Sequence, residues 1–417
     1  MAQKLIGKLV RFRQAGFLSL SVLTVGLAPA LSIWSGHAAA NGTSYLQSGV
    51  QRVVNGGFPG AWATDSFGNT GAAGVANLQT GQHTQANMKL RAASVTKSFT
   101  GAVALQLVAE HKLSLSDTLG HWVPGILPYA NHVTVKQLLN HTSGVPDYLE
   151  ADSNSLIYQI ARGQVSRFKT WTPNQLVAMI ANQPRHQLPP NQAEYSDTNF
   201  ILVGMVVEAV THDSIQHQIQ TRLITPLHLA NTSFPVTDPS LTAPFAHGYS
   251  YRVEADGTII VGMPFSQFTD DWTNYNPSFL WATGAVVSNP ADLNTFMKAL
   301  VGGHLLPANL TTQMKTTVPI TLPEGLFPPG FGAGLGIWSW DLSQVTPVAD
   351  SCNQTIYGHE GETLGYDTWA FANPSGSKAI TMGVNLMFPD FVSDSNSGQG
   401  YYGAELPAYS SMWCQSY

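Results

Sequence analysis

The sequence is poor in charge and contains almost no cysteine. Of its 417 residues, only 11% are Asp, Glu, Lys or Arg, whereas 44% are apolar, enough to bury one large core or two adjoining ones. The two cysteines, Cys352 and Cys414, lie near the C-terminus, which argues against a cysteine nucleophile or a cysteine-rich metal site. The pair is interpreted as one disulfide or as two buried thiols, and an oxidising compartment would favour the disulfide.

Two familiar catalytic motifs are also missing. No G-x-S-x-G pattern occurs, which excludes the nucleophile elbow of an α/β-hydrolase. No H-E-x-x-H pattern occurs either, and the 13 histidines are scattered along the chain. We therefore expect neither a metal nor a cofactor.

The first 40 residues contain no acidic side chain. An uncharged run covers residues 15–34, and the small residues Ala38, Ala39 and Ala40 follow it. This pattern predicts a signal peptide over residues 1–40 and a secreted or periplasmic protein. An uncleaved anchor is the alternative, because the run is about as long as a membrane span requires. The basic residues before the run are Lys4, Lys8, Arg11 and Arg13.

Removal of this segment leaves an acidic protein. Four of the 19 Lys and Arg are lost, and the remaining 15 face 25 Asp and Glu, a net charge of −10. This charge argues against nucleic acid as a partner. No second apolar run of membrane length occurs, so we expect no membrane contact after cleavage and a monomer that acts on a small substrate.

A serine and a lysine three residues apart, Ser94 and Lys97, begin a predicted amphipathic helix. If the helix starts at Ser94, both side chains project from one face near its positive end. A serine hydroxyl is a weak nucleophile until a base takes its proton, and a lysine with a lowered pKa can be that base. The same spacing at Ser166 and Ser375 begins no apolar helix. Since Ser94 could equally be an N-cap, the pattern alone does not establish catalysis.

Predicted strands lie at both ends of the chain and predicted helices in its middle. Short apolar runs occur within residues 60–86 and 334–387, and helical periodicity occurs in the segment between, which becomes irregular and aromatic-rich after Thr232. We expect one α/β (α+β) domain over residues 41–417. Its antiparallel sheet would come from about 41–92 and 330–417, with a mainly helical region of about 93–329 inserted between them.

Two further motifs follow Ser94 in order. Tyr195-Ser196-Asp197 lies in a polar loop before a predicted helix, and His359-Glu360-Gly361 lies on a predicted strand. With Ser94-Val95-Thr96-Lys97 they resemble the S-x-x-K, Y-x-N and K/H-x-G motifs of the penicillin-recognising serine hydrolases, which include D,D-carboxypeptidases and class C β-lactamases. Residues 136–144 and 281–288 also look like family segments. The chain is most similar to exported D-Ala-D-Ala carboxypeptidases with His in the third motif.

The resemblance implies a β-lactamase/transpeptidase-like fold, with helices flanking the sheet, and an acyl-enzyme mechanism. Ser94 would attack the substrate carbonyl, and Lys97 with Tyr195 would relay the proton to the leaving group. His359 would support the proton network and the local positive potential. The backbone N–H groups of Ser94 and Glu362 would form the oxyanion hole.

The resemblance also bears on the cysteines and on the reaction. In similar carboxypeptidases a cysteine before the third motif pairs with one near the C-terminus, which implies a bond between Cys352 and Cys414. The implied activity is that of a D,D-carboxypeptidase-like peptidase on D-Ala-D-Ala peptides. The alternatives are an esterase, a D-amino-acid amidase or aminopeptidase, a β-lactamase, and a catalytically silent binding protein. The partner would therefore be a small peptide, ester or β-lactam.

Three departures from the family pattern bear on the substrate. Asp197 replaces an Asn whose amide would hold the acyl-side amide of a peptide or β-lactam. Glu360 and Glu362 replace hydroxyl residues that bind the substrate carboxylate, and Trp338 lies on the strand where carboxypeptidases carry an Arg. Two carboxylates without a cation would repel such a substrate, unless both point into solvent and Arg252 supplies the cation. The candidate substrate-binding residues are Asp197, Trp281, Trp338, Glu360 and Gly361.

Overall fold

A computed structural model describes residues 44–151, 154–253, 259–260, 267, 269–321, 330–345, 350–387 and 404–415. The predicted signal peptide, residues 1–40, lies outside the described residues. Within the described part of the chain, no helix is both long and apolar enough to cross a membrane.

Ten strands form the main sheet, in the order β3-β2-β1-β15-β14-β13-β12-β11-β10-β5. Neighbouring strands are antiparallel except β10 and β5, which pair in parallel. The strands are β1 (Gly60–Asp65), β2 (Thr70–Asn77), β3 (Gln82–His83), β4 (Leu90–Arg91), β5 (Ala193–Glu194), β6 (Tyr249–Val253), β7 (Ile259–Ile260), β8 (Thr269–Asp271), β9 (Val287–Ser288), β10 (Val318–Thr321), β11 (Phe331–Ala333), β12 (Trp338–Asp341), β13 (Thr355–Thr363), β14 (Tyr366–Ala372), β15 (Ala379–Val384) and β16 (Leu386–Met387).

Most of the helices lie between the two parts of the chain that build the sheet. They are α1 (Tyr45–Asn55), α2 (Thr96–Ala109), α3 (Leu119–Trp122), α4 (Val135–Leu139), α5 (Leu156–Ala161), α6 (Pro173–Ala178), α7 (Thr198–Thr211), α8 (Ile215–Ile219), α9 (Trp281–Gly284), α10 (Pro290–Val301), α11 (Ala308–Lys315) and α12 (Glu405–Cys414).

The main sheet separates two apolar cores. One face packs against α1 and α12, where Trp340 and Trp369 of the sheet meet Tyr409 of α12. The other face packs against the helical region, and there Phe99 of α2 stacks on Phe296 of α10 with ring centroids 3.7 Å apart. The expected fold class is confirmed, because a sheet from both ends of the chain carries helices on both faces.

The structure differs from the expected segment boundaries in two ways. Strands β5 and β10 belong to the main sheet although they come from the mainly helical segment. Strands β6, β7, β8 and β16 form a small second sheet, and most of it comes from the aromatic-rich segment after Thr232, which was expected to be irregular. These strands are only two to five residues long, too short for a periodic pattern to reveal.

Two helices differ from the prediction. Helix α1 was not predicted, although Ser44 caps it by accepting from the Gln47 N–H and its buried side chains follow helical spacing. Helix α2 was predicted to be amphipathic, yet every residue from Thr96 to Leu105 is buried. A helix that is apolar or small-sided all round belongs inside a core, and α2 is the central helix of the helical region.

Candidate active site

Ser94 lies in a short 3₁₀ turn, Ala93–Val95, that leads directly into α2. Ala93 has a positive φ of 48°, a conformation that is unfavourable for Ala and is found mainly where function requires it. Strand β13 lies against this turn, because a Cβ on Gly361 would be 2.8 Å from the Ser94 nitrogen. Only glycine at position 361 allows the two backbones to approach so closely.

Lys97 connects Ser94 to a buried carboxylate. Its Nζ donates to Ser94 Oγ at 2.7 Å, to Asp197 Oδ1 at 2.5 Å and to the Thr283 carbonyl at 3.3 Å. The Lys97 side chain is fully buried, and the Asp197 side chain is 2% exposed. Because three acceptors surround the buried amine, Lys97 is held on the hydroxyl of Ser94.

Tyr195 is the second side chain on the nucleophile. Its hydroxyl donates to Ser94 Oγ at 2.8 Å. Burial and the negative charge of Asp197 raise the pKa of Tyr195 well above its usual value. Tyr195 is therefore a neutral phenol at neutral pH. It can donate a proton, but it is not a phenolate that could act as the base in the resting enzyme.

Asp197 and Asp147 form a buried carboxylate pair beside Lys97. Asp147 Oδ1 accepts from the Asp197 backbone N–H at 2.9 Å, and Thr283 Oγ1 donates to Asp197 Oδ1 at 2.5 Å. Burial and the charge of Asp197 raise the pKa of Asp147 to about 7. The network around Lys97 thus contains a carboxyl group that changes its charge near neutral pH.

His359 lies on β13 and is buried beside Trp338. Its Nδ1–H donates to the Glu360 carbonyl, and its ring stacks on Trp338 with centroids 4.1 Å apart. Burial and the positive charge of Lys97 lower the pKa of His359 well below its usual value. The imidazole is therefore neutral at physiological pH, so it can join a hydrogen-bond network but adds no positive potential to the site.

Glu360 lies on the face of the sheet that packs against α12. It is 4% exposed and interacts with Asp367 on β14 and with Glu405 on α12. Strand alternation places Glu362 on the same face, where it is partly buried. Glu360 therefore does not point into solvent, and its charge contributes to the raised pKa of Tyr195.

The two candidate tryptophans lie in different surroundings. The ring of Trp338 lies edge-on to Tyr195, with centroids 5.7 Å apart, and it stacks on His359, so it borders the catalytic groups. The ring of Trp281 packs on α7, where a Cβ on Gly204 would lie 2.9 Å from it. Trp281 belongs to the apolar core of the helical region, and its role in substrate binding stays a prediction.

Three residues that contact the catalytic groups were not predicted from the sequence: Asp147, Thr283 and His141. Asp147 and Thr283 bond to Asp197, and His141 stacks on Tyr195 with ring centroids 4.7 Å apart. His141 and Thr283 lie in the family-like segments 136–144 and 281–288, which was the one available signal, and Asp147 lies just after the first of these segments. Their partners are 50 or more residues away in sequence, so local periodicity could not identify them.

The model of the beta-lactamase family matches residues 45–399, most of the chain. Among solved structures, a D-stereospecific amidohydrolase from Streptomyces sp. is 32% identical to this chain, covers 82% of it and 94% of its own length, and gives a TM-score of 0.70. The D-amino acid amidase from Ochrobactrum anthropi SV3 complexed with D-phenylalanine gives the same TM-score at 22% identity, over 89% of this chain and 98% of its own. At that identity it shares the fold alone.

The curated relatives match shorter stretches. Protein flp of Staphylococcus aureus (strain COL) is 31% identical over 154 residues, which are 36% of this chain and 29% of that protein. Penicillin-binding protein 4* of Bacillus subtilis (strain 168) is 28% identical over 301 residues, which are 71% of this chain and 60% of that protein. The matched part of the chain thus spans less than a third of the staphylococcal relative.

Proposed function

Because this chain belongs to the beta-lactamase family, we propose that it is a serine acyl hydrolase that acts through an acyl-enzyme on Ser94, with amides and esters of D-amino acids that keep a free amine as its substrates. The charges around Ser94 carry this proposal. Lys97, the cation that contacts Ser94, is paired with Asp197, so it does not serve as the binding group for a substrate carboxylate. The similarity to the Streptomyces D-stereospecific amidohydrolase supports the same class of reaction.

In the proposed reaction, Ser94 Oγ bonds to the substrate carbonyl carbon and the bond to the leaving group breaks. Lys97 takes the serine proton, while Tyr195 gives a proton to the leaving group and recovers one from Lys97. The backbone N–H groups of Ser94 and Glu362 stabilise the developing oxyanion. Water then attacks the acyl-enzyme by the same proton path in reverse.

Lys97 can act as a base because a carboxylate in contact with it can receive a proton. Asp197 Oδ1 lies 2.5 Å from Lys97 Nζ, and both side chains are buried. The opposite charges compensate each other, which offsets the cost of burying both. In the proposed step, Lys97 passes a proton to Asp197 as it takes the one from Ser94, and the Asn of the usual second motif could not receive it.

The surrounding charges favour a substrate that carries a positive group. Asp197 and Glu150 each raise the pKa of Tyr195 through their negative charges. A substrate ammonium group would be attracted to such a site, whereas a substrate carboxylate would be repelled.

The D,D-carboxypeptidase reaction is the alternative, and it requires a cation for the terminal carboxylate of the peptide. Trp338 stands on the strand where similar carboxypeptidases carry an Arg. Arg252, the other candidate cation, pairs with Asp270 at 3.3 Å. The charge of Arg252 is therefore already compensated within the small sheet.

Two measurements test the proposal. A fluorophosphonate probe should label Ser94 by peptide mass mapping, and Ser94→Ala should abolish both labelling and turnover. Turnover of an ester with no label at Ser94 would refute the assignment of Ser94 as the nucleophile. If the wild-type protein shows neither labelling nor turnover, the binding-protein alternative is favoured.

Substrate preference is then measured as kcat/KM for D-alanine amide, L-alanine amide, a short-chain p-nitrophenyl ester and a D-Ala-D-Ala-terminated peptide. We expect D-alanine amide and the ester to be hydrolysed best. A preference of tenfold or more for the peptide with a free carboxylate, about 1.4 kcal/mol in the transition state, would contradict the proposal and favour the D,D-carboxypeptidase reaction.

A further inference from the structure

His141 is a buried, titratable side chain for which the proposed reaction has no role. It is 2% exposed and follows α4, within the family-like segment of residues 136–144. Its φ is 58°, in the left-handed region where glycine or asparagine usually ends a helix. His111, His212 and His228 also have a positive φ, so the backbone of His141 assigns it no role, and its contacts have to.

The contacts of His141 surround Tyr195. The His141 carbonyl accepts from the Glu194 N–H at 3.0 Å, and its Nδ1 accepts from the Ser196 N–H at 3.2 Å. Asn199 Nδ2 also lies 3.2 Å from Nδ1. One residue therefore holds the backbone on both sides of Tyr195, while its ring stacks on the tyrosine ring.

The protonation state of His141 fits this arrangement. Nδ1 can accept the Ser196 N–H only in a neutral imidazole that carries its proton on Nε2. Burial and the charge of Lys97 lower the pKa of His141 well below its usual value, which keeps the ring neutral.

We propose that His141 is a positioning residue: its Nδ1 lone pair fixes the loop that carries Tyr195 and so holds the tyrosine hydroxyl on Ser94. This rests on the proposed serine chemistry, but not on the identity of the substrate. Because an error of about 1 Å in the position of a reacting group can cost about 100-fold in rate, a loop that is no longer fixed should slow acylation.

The test compares two variants at position 141 that both tolerate a positive φ. His141→Asn keeps an acceptor oxygen in the place of Nδ1, whereas His141→Gly removes it. The readouts are the rate of Ser94 labelling by a fluorophosphonate probe, and kcat and KM for a p-nitrophenyl ester. We expect His141→Gly to slow labelling and kcat by about tenfold or more with KM unchanged, and His141→Asn to remain within about threefold of wild type.

Ser143→Ala is the matched control. Ser143 is buried in the same segment and its Oγ donates to Asn199 at 2.6 Å, but none of its described hydrogen bonds reaches Tyr195 or the residues on either side of it. It should lower the thermal unfolding midpoint without slowing the labelling of Ser94. Equal slowing by Ser143→Ala and His141→Gly would overturn the proposal, and so would equal rates for His141→Asn and His141→Gly.

A double-mutant cycle shows whether His141 acts through Tyr195. In a Tyr195→Phe background, His141→Gly should cost little further activity, because the hydroxyl that it positions is already gone. Additive losses would contradict the proposal. The wild-type labelling rate is measured in the same series, so failure of the serine chemistry itself is distinguished from failure of this inference.

Discussion

Ser94 Oγ has two side-chain donors within 2.8 Å, Lys97 Nζ and the Tyr195 hydroxyl. A hydroxyl oxygen that contacts both an amine and a phenol can pass its proton to the amine and accept a hydrogen bond from the phenol. Asp197 extends this arrangement by one further hydrogen bond beyond Lys97. At the scale of the residue, the chemistry is therefore a chain of proton-sharing groups.

Loss of either group on Ser94 should slow acylation. We expect Tyr195→Phe and Lys97→Ala each to lower the rate of acyl-enzyme formation by about 100-fold or more, the usual contribution of a positioned acid or base. Stopped-flow measurement with a p-nitrophenyl ester checks this. The matched control is Tyr148→Phe, which removes a buried hydroxyl that donates to the Phe279 carbonyl at 2.6 Å and not to Ser94. Wild-type acylation rates in either site variant would mean that the proton leaves by another route.

Asp197 should influence which substrate is accepted as well as the rate. Asp197→Asn removes a negative charge and restores an amide donor, so it should disfavour free amines relative to N-acylated substrates. We expect the ratio of kcat/KM for D-alanine amide over N-acetyl-D-alanine amide to fall by about tenfold, or ~1.4 kcal/mol. The ratio cancels any loss of rate that both substrates share.

Thr283→Val controls for this substitution, because it removes a donor to Asp197 but leaves the carboxylate in place. It should lower both rates and keep their ratio. An unchanged ratio in Asp197→Asn would show that another group selects the substrate.

At the scale of the element, the side chains of strand β13 alternate between the two faces of the main sheet. His359 and Gly361 lie on the side of the Ser94 turn, while Glu360 lies against α12. Glu360, Asp367 and Glu405 bring three carboxyl groups together in the core between the sheet and the terminal helices. Burial and mutual repulsion disfavour the charged forms of carboxyl groups in such a cluster.

This cluster predicts how stability depends on pH. Burial raises the pKa of Asp367 to about 6 and the pKa of Glu405 well above its usual value. A carboxyl group whose pKa is higher in the folded state stabilises the protein below its unfolded pKa, and this stability is lost as pH rises through the folded pKa. We therefore expect the thermal midpoint to fall between about pH 4 and pH 7.

Glu405→Gln should remove much of this loss, because its side chain stays neutral at every pH. The thermal unfolding midpoint of this variant should equal that of wild type near pH 4 and exceed it at pH 8. Glu110→Gln is the control of opposite sign, since Arg222 lowers the pKa of Glu110 to about 2. A midpoint for Glu405→Gln that falls as steeply as that of wild type would contradict the cluster.

At the scale of the whole molecule, the first and last described helices cover one face of the main sheet. Helix α1 and helix α12 pack on the same face, and Cys352 and Cys414 lie within disulfide distance, with Sγ atoms 2.02 Å apart. The pair would join α12 to the segment before β13, the strand of the third motif. We propose that this cross-link forms in an exported protein, after the predicted signal peptide has been removed.

Thiol titration checks the cross-link. The exported protein, denatured without reductant, should contain no free thiol, and reduction should lower the free energy of unfolding by roughly 2–4 kcal/mol, as is typical for a loop of this size. A Cys352→Ser and Cys414→Ser double variant should match the reduced protein. Two free thiols in the exported protein would refute the prediction.

The order of the three motifs and the residue types at Ser94, Lys97, Tyr195 and His359 can be read directly from the sequence, because each motif is contiguous. Periodicity also determined the sheet-forming ends and the longer helices. The short strands β5 and β10 and the buried character of α2 could not be read in the same way, since they depend on what packs around them.

Only the tertiary structure decided which face of β13 carries Glu360. Strand alternation fixes that Glu360 and Glu362 share a face, but the sheet order and the position of α12 determine what that face meets. The same holds for His141 and Asp147, whose partners at Ser196 and Asp197 are 55 and 50 residues away. Contacts over such separations arise from the packing of whole elements, and no local pattern in the sequence encodes them.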